Sequence, residues 1–133
     1  MQTPDKPNQG TDYTYDEVAS FYQHDASQLH WVIVKGRQIV ALRLREDYNR
    51  EIFGSRAEVW VGNDSPTKEW GSTLANDTAT VPIYVKKLDR DKYTYLGIYE
   101  IMSDDTTESN CVAASKQVDH GRGVSRIVFL KKS

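Results

Sequence analysis

The sequence predicts an α+β domain with a curled, mostly antiparallel sheet or small β-barrel and one or two short helices. Six short stretches carry strand signals, and several of them alternate apolar with polar residues at a period of two. No stretch repeats the strand–helix–strand order that produces a parallel sheet. The 133 residues match the usual size of one domain and suffice to bury a core. The predicted strands are residues 31–34, 38–44, 57–62, 81–87, 93–102 and 124–130.

One strand is expected at the centre of the sheet. Residues 93–102 carry apolar or aromatic side chains on both faces, which is typical of a strand covered on both sides. Gly97 in its middle indicates either a bend of the sheet or a close approach to the backbone.

Two stretches carry helix signals. Within residues 13–24, Thr14 and Glu17 have the spacing of a capping box ahead of an apolar face. A second helix is expected over residues 66–75, where Ser65 offers a capping hydroxyl and the following proline suits a first turn.

The two remaining long stretches are polar. Residues 1–12 contain prolines and a glycine among polar residues, which predicts a disordered tail or linker, and residues 13–133 are expected to form a single domain. Residues 103–123 exceed a simple connection and are interpreted as a functional loop or a disordered one.

Charge is distributed unevenly along the chain, whose formal net charge is −2. Residues 1–30 hold one lysine against five acidic residues, whereas residues 112–133 hold five basic residues against one aspartate. This asymmetry is compatible with one face that meets a polyanion, although charged segments also serve as solvated surface. The single cysteine, Cys111, and the lack of an apolar stretch of membrane-spanning length favour an intracellular protein, cytoplasmic or nuclear, with no membrane contact.

Motifs of catalytic and cofactor sites are absent from the sequence. The histidines His24, His30 and His120 lie in different segments without metal-ligand spacing. No GxSxG motif, glycine-rich phosphate loop or dinucleotide-binding fingerprint occurs. We therefore predict no enzymatic activity, no metal and no cofactor, and an enzyme that uses Asp104 and Asp105 is the least favoured hypothesis.

Aromatic and small polar residues in and around residues 57–71 indicate a binding site. The stretch is interpreted as a strand, a polar turn and a helix that form a corner flanked by two tryptophans. Aromatic faces stack on bases, and amide or carboxylate groups read a base edge. The same residue types also pack cores and make turns, so a packed corner without a ligand remains the alternative. The candidate base-binding residues are Trp60, Asn63, Asp64, Trp70, Tyr84, Tyr95 and Tyr99.

Basic residues near the C-terminus are candidates for phosphate contacts. Gly121 and Gly123 give the loop beside them the freedom to follow a nucleic-acid backbone. The candidates are Lys116, Arg122, Arg126 and Lys131.

Two segments resemble motifs of SRA-like domains. Tyr-Thr-Tyr-Leu-Gly-Ile-Tyr-Glu-Ile at residues 93–101 and Gly-Val-Ser-Arg-Ile-Val-Phe-Leu at residues 123–130 look like the Tyr-x-Gly-x-Tyr-x-Val … Arg-x-x-x-Phe-x-Leu layout of these domains. Val-Trp-Val-Gly, Glu-Trp-Gly and Val-Pro-Ile-Tyr-Val are similar to segments of SRA-like modules attached to restriction-type nucleases. SRA-like domains belong to the broader PUA-like group, which includes the EVE and YTH readers. The resemblance covers roughly residues 31–130.

The resemblance implies a curved sheet whose concave side and loops accept a flipped, modified base, often a methylated cytosine, between aromatic rings. The leading hypothesis is therefore a non-catalytic nucleic-acid-binding module whose partner is DNA and which is fused to, or works with, a nuclease or another effector domain. The alternative is a β-rich domain that binds a protein or peptide through the same aromatic corner. The positions that the resemblance assigns are Trp60, Asn63, Asp64 and Tyr84 for the pocket, and Arg122 and Arg126 for backbone contacts.

Overall fold

The computed structural model describes residues 7–22, 31–46, 49, 55–64, 66–87, 91–117 and 123–133. Seven strands and three helices lie within these ranges. None of the helices in this part of the chain is long and apolar enough to cross a membrane. Along the chain the elements are β1 (Asp12–Tyr13), α1 (Tyr15–Phe21), β2 (Val32–Lys35), β3 (Gln38–Arg45), β4 (Arg56–Gly62), α2 (Thr67–Asp77), β5 (Thr80–Lys86), β6 (Tyr93–Asp105), α3 (Glu108–Gln117) and β7 (Val124–Lys132).

The strands form one sheet in the order β2-β3-β5-β6-β7-β4, with β1 paired to the beginning of β6. Neighbouring strands are antiparallel apart from β3 and β5, which run parallel. The predicted α+β class and the mostly antiparallel sheet are confirmed. β6 lies between β5 and β7, the interior position expected from its two apolar faces.

The prediction of a β-barrel is wrong, because the sheet does not close. β2 and β4 are its terminal strands, and no ladder joins them in the part of the chain that the structure describes. Near these edges the N–H of Arg43 donates to the carbonyl of Trp31 (2.7 Å), and the N–H of Trp60 donates to the side-chain oxygen of Asn49 (2.9 Å). Since these donors are already satisfied, they do not contribute to a ladder between the two ends of the sheet.

Side chains from the two faces of the sheet form separate buried clusters, because successive residues of a strand point to opposite faces. α2 covers one face and contacts β3, β4, β6 and β7, strands from both halves of the order, so the sheet curls around this helix. The α2 cluster consists of Val32, Ile39, Leu42, Leu44, Ala57, Val59, Val61, Leu74, Val81, Ile83, Val85, Tyr99, Val128 and Leu130. On the other face, the α1 cluster consists of Tyr13, Val18, Ala19, Ile33, Ala41, Tyr84, Tyr93 and Tyr95, and the α3 cluster of Trp60, Ala114, Val124 and Ile127.

A β-bulge moves the aromatic side chains of β6 from one face to the other. Tyr84 of β5 pairs with Tyr95, but the preceding Ile83 pairs with Gly97, so β6 holds one extra residue at this point. Tyr95 consequently belongs to the α1 cluster and Tyr99 to the α2 cluster. Simple alternation places these two tyrosines on one face, and the bulge separates them.

The capping box predicted for α1 is confirmed. The Thr14 hydroxyl accepts a hydrogen bond from the Glu17 N–H (3.2 Å), and the Glu17 carboxylate accepts one from the Thr14 N–H (2.9 Å). α2 lies close to the predicted residues 66–75, whereas the proposed capping residue Ser65 lies outside the described residues. α3 is not expected from the sequence and occupies much of the polar stretch interpreted as a loop.

The described part of the N-terminal segment lies along β6. The N–H of Gly10 donates to the carbonyl of Tyr95 (2.8 Å), and the N–H of Tyr95 donates to the carbonyl of Thr11 (3.0 Å). The composition of residues 1–12 predicts a tail, but main-chain hydrogen bonds join residues 10 and 11 to the sheet; residues 1–6 lie outside the described part.

Candidate ligand site between the open sheet edges

A cavity of about 400 Å³ lies where β3 and β4, from opposite halves of the sheet order, approach each other. β3 contributes residues beyond its last pair with β2, and β4 contributes residues from its middle. The start of α2 and the segment between β3 and β4 complete the wall. This seam cavity is lined by Trp31, Arg43, Leu44, Arg45, Asn49, Val59, Trp60, Val61, Asp64, Thr67 and Tyr93.

The lining of the seam cavity combines an apolar part with aromatic and charged groups. Leu44, Val59 and Val61 belong to the α2 cluster, whereas Trp60 and Tyr93 belong to clusters on the other face of the sheet. Apolar walls with a few converging polar groups are characteristic of sites for small molecules and bases.

Trp60 is held by contacts on several sides. Its side chain packs in the α3 cluster, and its indole N–H donates to Oε1 of Glu58 (3.2 Å). Its backbone N–H donates to Asn49, whose own side-chain amide donates to the carbonyl of Arg45 (2.9 Å). Trp60 is 7% exposed. It therefore forms a fixed part of the wall.

Arg43 is held between two tyrosine rings. The centre of its guanidinium lies 4.6 Å from the ring centroid of Tyr15 and 5.5 Å from that of Tyr93. Nη1 also donates to the Tyr93 hydroxyl (2.6 Å). Contacts of this kind with aromatic faces stabilise a cation and fix its orientation. Because Tyr15 lies in α1, the docking of that helix helps to position a charged group of the cavity.

Trp31 adds a hydrogen-bond donor with unmet capacity. Its partly buried ring packs against the α2 cluster, and its indole nitrogen is buried and has no hydrogen-bond partner among the described residues. An indole N–H can only donate, and a buried donor without an acceptor is both rare and destabilising. Trp31 thus combines an aromatic surface with an unsatisfied donor at the cavity.

Of the base-binding candidates, Trp60 and Asp64 line the seam cavity. Asp64 is exposed just before α2; its carbonyl accepts a hydrogen bond from the Lys68 N–H (2.9 Å). Asn63 is also exposed, and its side chain lies so close to Gly123 that no Cβ fits there. Asn63 therefore adjoins the start of β7, next to the segment that contains Arg122, which itself lies outside the described residues.

The four remaining aromatic candidates do not line the seam cavity. Tyr84 and Tyr95 pack in the α1 cluster with ring centroids 4.9 Å apart, and the Tyr84 hydroxyl hydrogen-bonds to that of Tyr22 (2.9 Å). Tyr99 and Trp70 pack in and against the α2 cluster.

The hydroxyls of Tyr22, Tyr84, Tyr95 and Tyr99 remain neutral at physiological pH. Burial raises the pKa of Tyr84, Tyr95 and Tyr99 above the ordinary tyrosine value. Burial likewise raises the pKa of Tyr22 to about 12. These groups therefore act as hydrogen-bonding and packing groups rather than as ionised ones.

The described phosphate candidates lie on different parts of the surface. Lys116 is exposed in the last turn of α3. Arg126 and Lys131 lie on β7 an odd number of residues apart, which places them on opposite faces of a regular strand. Arg126 forms an ion pair with Asp104 of β6, and Lys131 lines a second cavity, of about 520 Å³, with Glu58, Met102 and others.

Several lining residues are missed by sequence patterns. Arg43 and Arg45 share a face of a strand whose other face is apolar, which marks them only as surface residues. Asn49 lies in a polar connection, and Tyr93 opens a distant strand. What unites them is the curl of the sheet, which no local pattern reports.

The described residues contain no cluster of metal-ligating side chains and no exposed thiol. No group of three or more His, Cys, Asp or Glu in that part of the chain is placed to hold a metal ion. The three histidines lie outside it. Cys111 is buried, and burial raises the pKa of its thiol.

Comparison with known proteins identifies a fold. No protein-family model matches the sequence, and no curated protein matches it significantly. The fold is similar to that of the SRA domain in a crystal structure of SUVH5 SRA with hemimethylated CG DNA, with a TM-score of 0.64 and 12% sequence identity. The match covers 99% of this chain and 91% of the SUVH5 chain. The SRA-like resemblance of the sequence is therefore confirmed at the level of the fold.

Proposed function

We propose that the chain is a non-catalytic DNA-binding module that takes an extruded, modified base, such as a methylated cytosine, into the seam cavity. The observation that carries the proposal is the position of this cavity in an SRA-like fold, with aromatic and polar groups converging between open sheet edges. A protein that binds a base outside the duplex needs such a recess. Its walls must offer surfaces on which the base stacks and polar groups that form hydrogen bonds with the edge of the base.

The lining residues suit the recognition of cytosine. Trp31, which is partly exposed, offers aromatic surface for a ring beside the nearly buried Trp60 and Tyr93, and a base–aromatic contact is worth about 1–3 kcal/mol. The carboxylate of Asp64 accepts hydrogen bonds and suits the exocyclic amino group of cytosine. In this assignment, Tyr84, Tyr95, Tyr99 and Trp70 support the walls by packing.

Contacts with the DNA backbone are assigned to the basic residues of the C-terminal part. Lys116 lies on α3, and Lys131 lies on the face of β7 that carries Ile127, a member of the α3 cluster around Trp60. Arg126, on the opposite face of β7, and Arg122 complete the candidates. The SUVH5 domain of similar fold is seen with hemimethylated CG DNA, which supports DNA as the partner.

The test is fluorescence anisotropy with labelled duplexes that differ at one position, carrying cytosine, 5-methylcytosine or 5-hydroxymethylcytosine, at low and moderate salt. We expect tighter binding of one modified duplex and a steep loss of affinity with salt. Asp64→Asn should weaken binding of the preferred duplex on the order of tenfold, since it replaces one acceptor oxygen by a donor at the amino group that cytosine and its 5-modified forms share.

Asp77→Asn is the matched control, because Asp77 is exposed at the far end of α2 and the variant removes the same charge. Loss of a negative charge alone should raise affinity for DNA, so a selective decrease in Asp64→Asn is not an electrostatic side effect. Equal affinity of the two variants for the preferred duplex would contradict the assignment of Asp64. Failure to bind any duplex, with salt-insensitive capture of a peptide instead, would favour the protein-interaction alternative.

A further inference from the structure

The seam cavity is larger than a methylated cytosine requires. At about 30 Å³ for each non-hydrogen atom, the volume share of a water molecule in the liquid, the nine such atoms of 5-methylcytosine take up at most about 270 Å³. The cavity holds about 400 Å³. The cavity therefore has room for further atoms beside the methylated ring.

The charges of the lining indicate what those further atoms are. Arg43 and Arg45 are the positively charged lining residues, and Asp64 is the negatively charged one, a positive balance in a chain of net charge −2. Arg43 and Arg45 are two residues apart on β3, so they share one face of the strand. Two guanidinium groups on one wall favour a ligand with an anionic group.

The guanidinium of Arg43 is oriented before a ligand arrives. Tyr15 and Tyr93 flank it, and Nη1 donates a hydrogen bond to the Tyr93 hydroxyl. A fixed guanidinium loses little conformational freedom when it binds a carboxylate or phosphate, which it does through paired hydrogen bonds.

We propose that the seam cavity contains an anion subsite at Arg43, which binds an oxyanion of the ligand. The oxyanion is either a carboxylate carried by the pyrimidine ring or a phosphate of the extruded nucleotide; both present oxygen pairs to a guanidinium. The subsite deepens the proposed function and rests on it for the identity of the ligand as a nucleotide.

Two titrations distinguish the two sources of the oxyanion, a ring carboxylate and a phosphate. In the first, duplexes with cytosine, 5-methylcytosine or 5-carboxylcytosine at one position are compared by anisotropy. In the second, 2′-deoxycytidine, its 5′-monophosphate and 5-carboxyl-2′-deoxycytidine are titrated while ¹⁵N–¹H spectra record the indole N–H of Trp31, which lines the same cavity.

Arg43→Gln and Arg43→Lys are compared with Arg37→Gln, a control that removes the same charge at an exposed position in the turn between β2 and β3. We expect Arg43→Gln to weaken binding of the anionic ligand on the order of tenfold or more. Arg43→Lys should recover part of the lost affinity, because a lysine keeps the positive charge but lacks the paired N–H donors of a guanidinium. Arg37→Gln should change the affinity for the anionic ligand less than twofold.

A carboxylate subsite is supported when the 5-carboxylcytosine duplex binds best and Arg43→Gln abolishes that preference. A phosphate subsite is supported when the monophosphate shifts the Trp31 resonance, deoxycytidine does not, and Arg43→Gln abolishes the shift. The inference is overturned when Arg43→Gln and Arg37→Gln bind every probe alike, while an intact preference for a modified duplex leaves the proposed function standing. If no duplex binds, the proposed function fails, and the monophosphate titration still decides the subsite.

Discussion

At the scale of single residues, Gly97 decides which aromatic side chains meet. Its backbone has a φ of +111°, a conformation that residues other than glycine rarely adopt. A Cβ at this position would lie 3.3 Å from Oε1 of Gln9 and 3.3 Å from Cε of Lys132. The bulge it permits places Tyr95 opposite Tyr84 and frees Tyr99 for the other face. Glycine is therefore required here by the arrangement of the tyrosines.

We expect Gly97→Ala to lower the free energy of unfolding by about 2–3 kcal/mol, since it adds backbone strain and crowds the N-terminal segment. Gly36→Ala is the control: Gly36 also has a positive φ, of +65°, but a Cβ added there would meet no atom within 4 Å, and the cost should be about 1 kcal/mol. Urea unfolding followed by tryptophan fluorescence measures both. Equal losses would mean that the bulge at Gly97 tolerates a side chain.

At the scale of elements, helices α1 and α3 show what sequence can and cannot predict. α1 is predictable because Thr14 and Glu17 fix its beginning through hydrogen bonds three residues apart. α3 buries only Cys111 and Ala114, small side chains that produce little helical periodicity. Its position depends on contacts with Trp60 and β7, which lie far away in the sequence. Such contacts leave no local pattern.

The residues that line the seam cavity also differ in whether the sequence predicts them. Trp60 and Asp64 are identifiable from sequence because a strand, a turn and a helix succeed one another within a few residues. Arg43 and Tyr93 reach the cavity from two other strands, through the curl of the sheet. The tyrosines of β5 and β6 have the composition of a binding site but lie in the core, since a bulge and the docking of α1 determine their surroundings.

Ser115 connects α3 to the sheet and provides a test at this scale. Its hydroxyl donates to the carbonyl of Cys111 (2.8 Å) and accepts from the N–H of the buried Val124 (2.8 Å), at the start of β7. Ser115→Ala should lower the free energy of unfolding by about 1–2 kcal/mol, because the Val124 N–H loses its acceptor. Ser109→Ala on the same helix is exposed and should be neutral or slightly stabilising.

Thermal or urea denaturation measures both serine variants, and hydrogen exchange at the Val124 N–H reports the lost bond directly. Unchanged exchange in Ser115→Ala would contradict the role given to this hydroxyl. Because α3 supports Trp60 through Ala114, a weakened α3 should also lower affinity for a base in the seam cavity.

At the scale of the whole molecule, an acidic chain is proposed to bind a polyanion, so the placement of its charges matters more than their sum. Arg126 forms an ion pair with Asp104, and both side chains are partly exposed. An exposed pair of this kind contributes little to stability. For Arg126 to contact a phosphate, the phosphate must take the place of the Asp104 carboxylate, which also repels the DNA backbone.

Asp104→Asn should therefore strengthen binding of every duplex severalfold at low salt and steepen the salt dependence by about one unit of log–log slope, the value for one further phosphate contact. Preference for a modified base should not change, since backbone contacts carry no sequence information. Asp16→Asn, an exposed position in the first turn of α1, removes the same charge away from Arg126 and controls for net charge. Anisotropy at several salt concentrations measures both variants. If the two raise affinity equally and leave the slope alike, the gain comes from net charge alone, and Arg126 does not contact the backbone. If Asp104→Asn alone steepens the slope, Arg126 is one of the groups that hold the duplex, and the Asp104 carboxylate limits how tightly any duplex is bound.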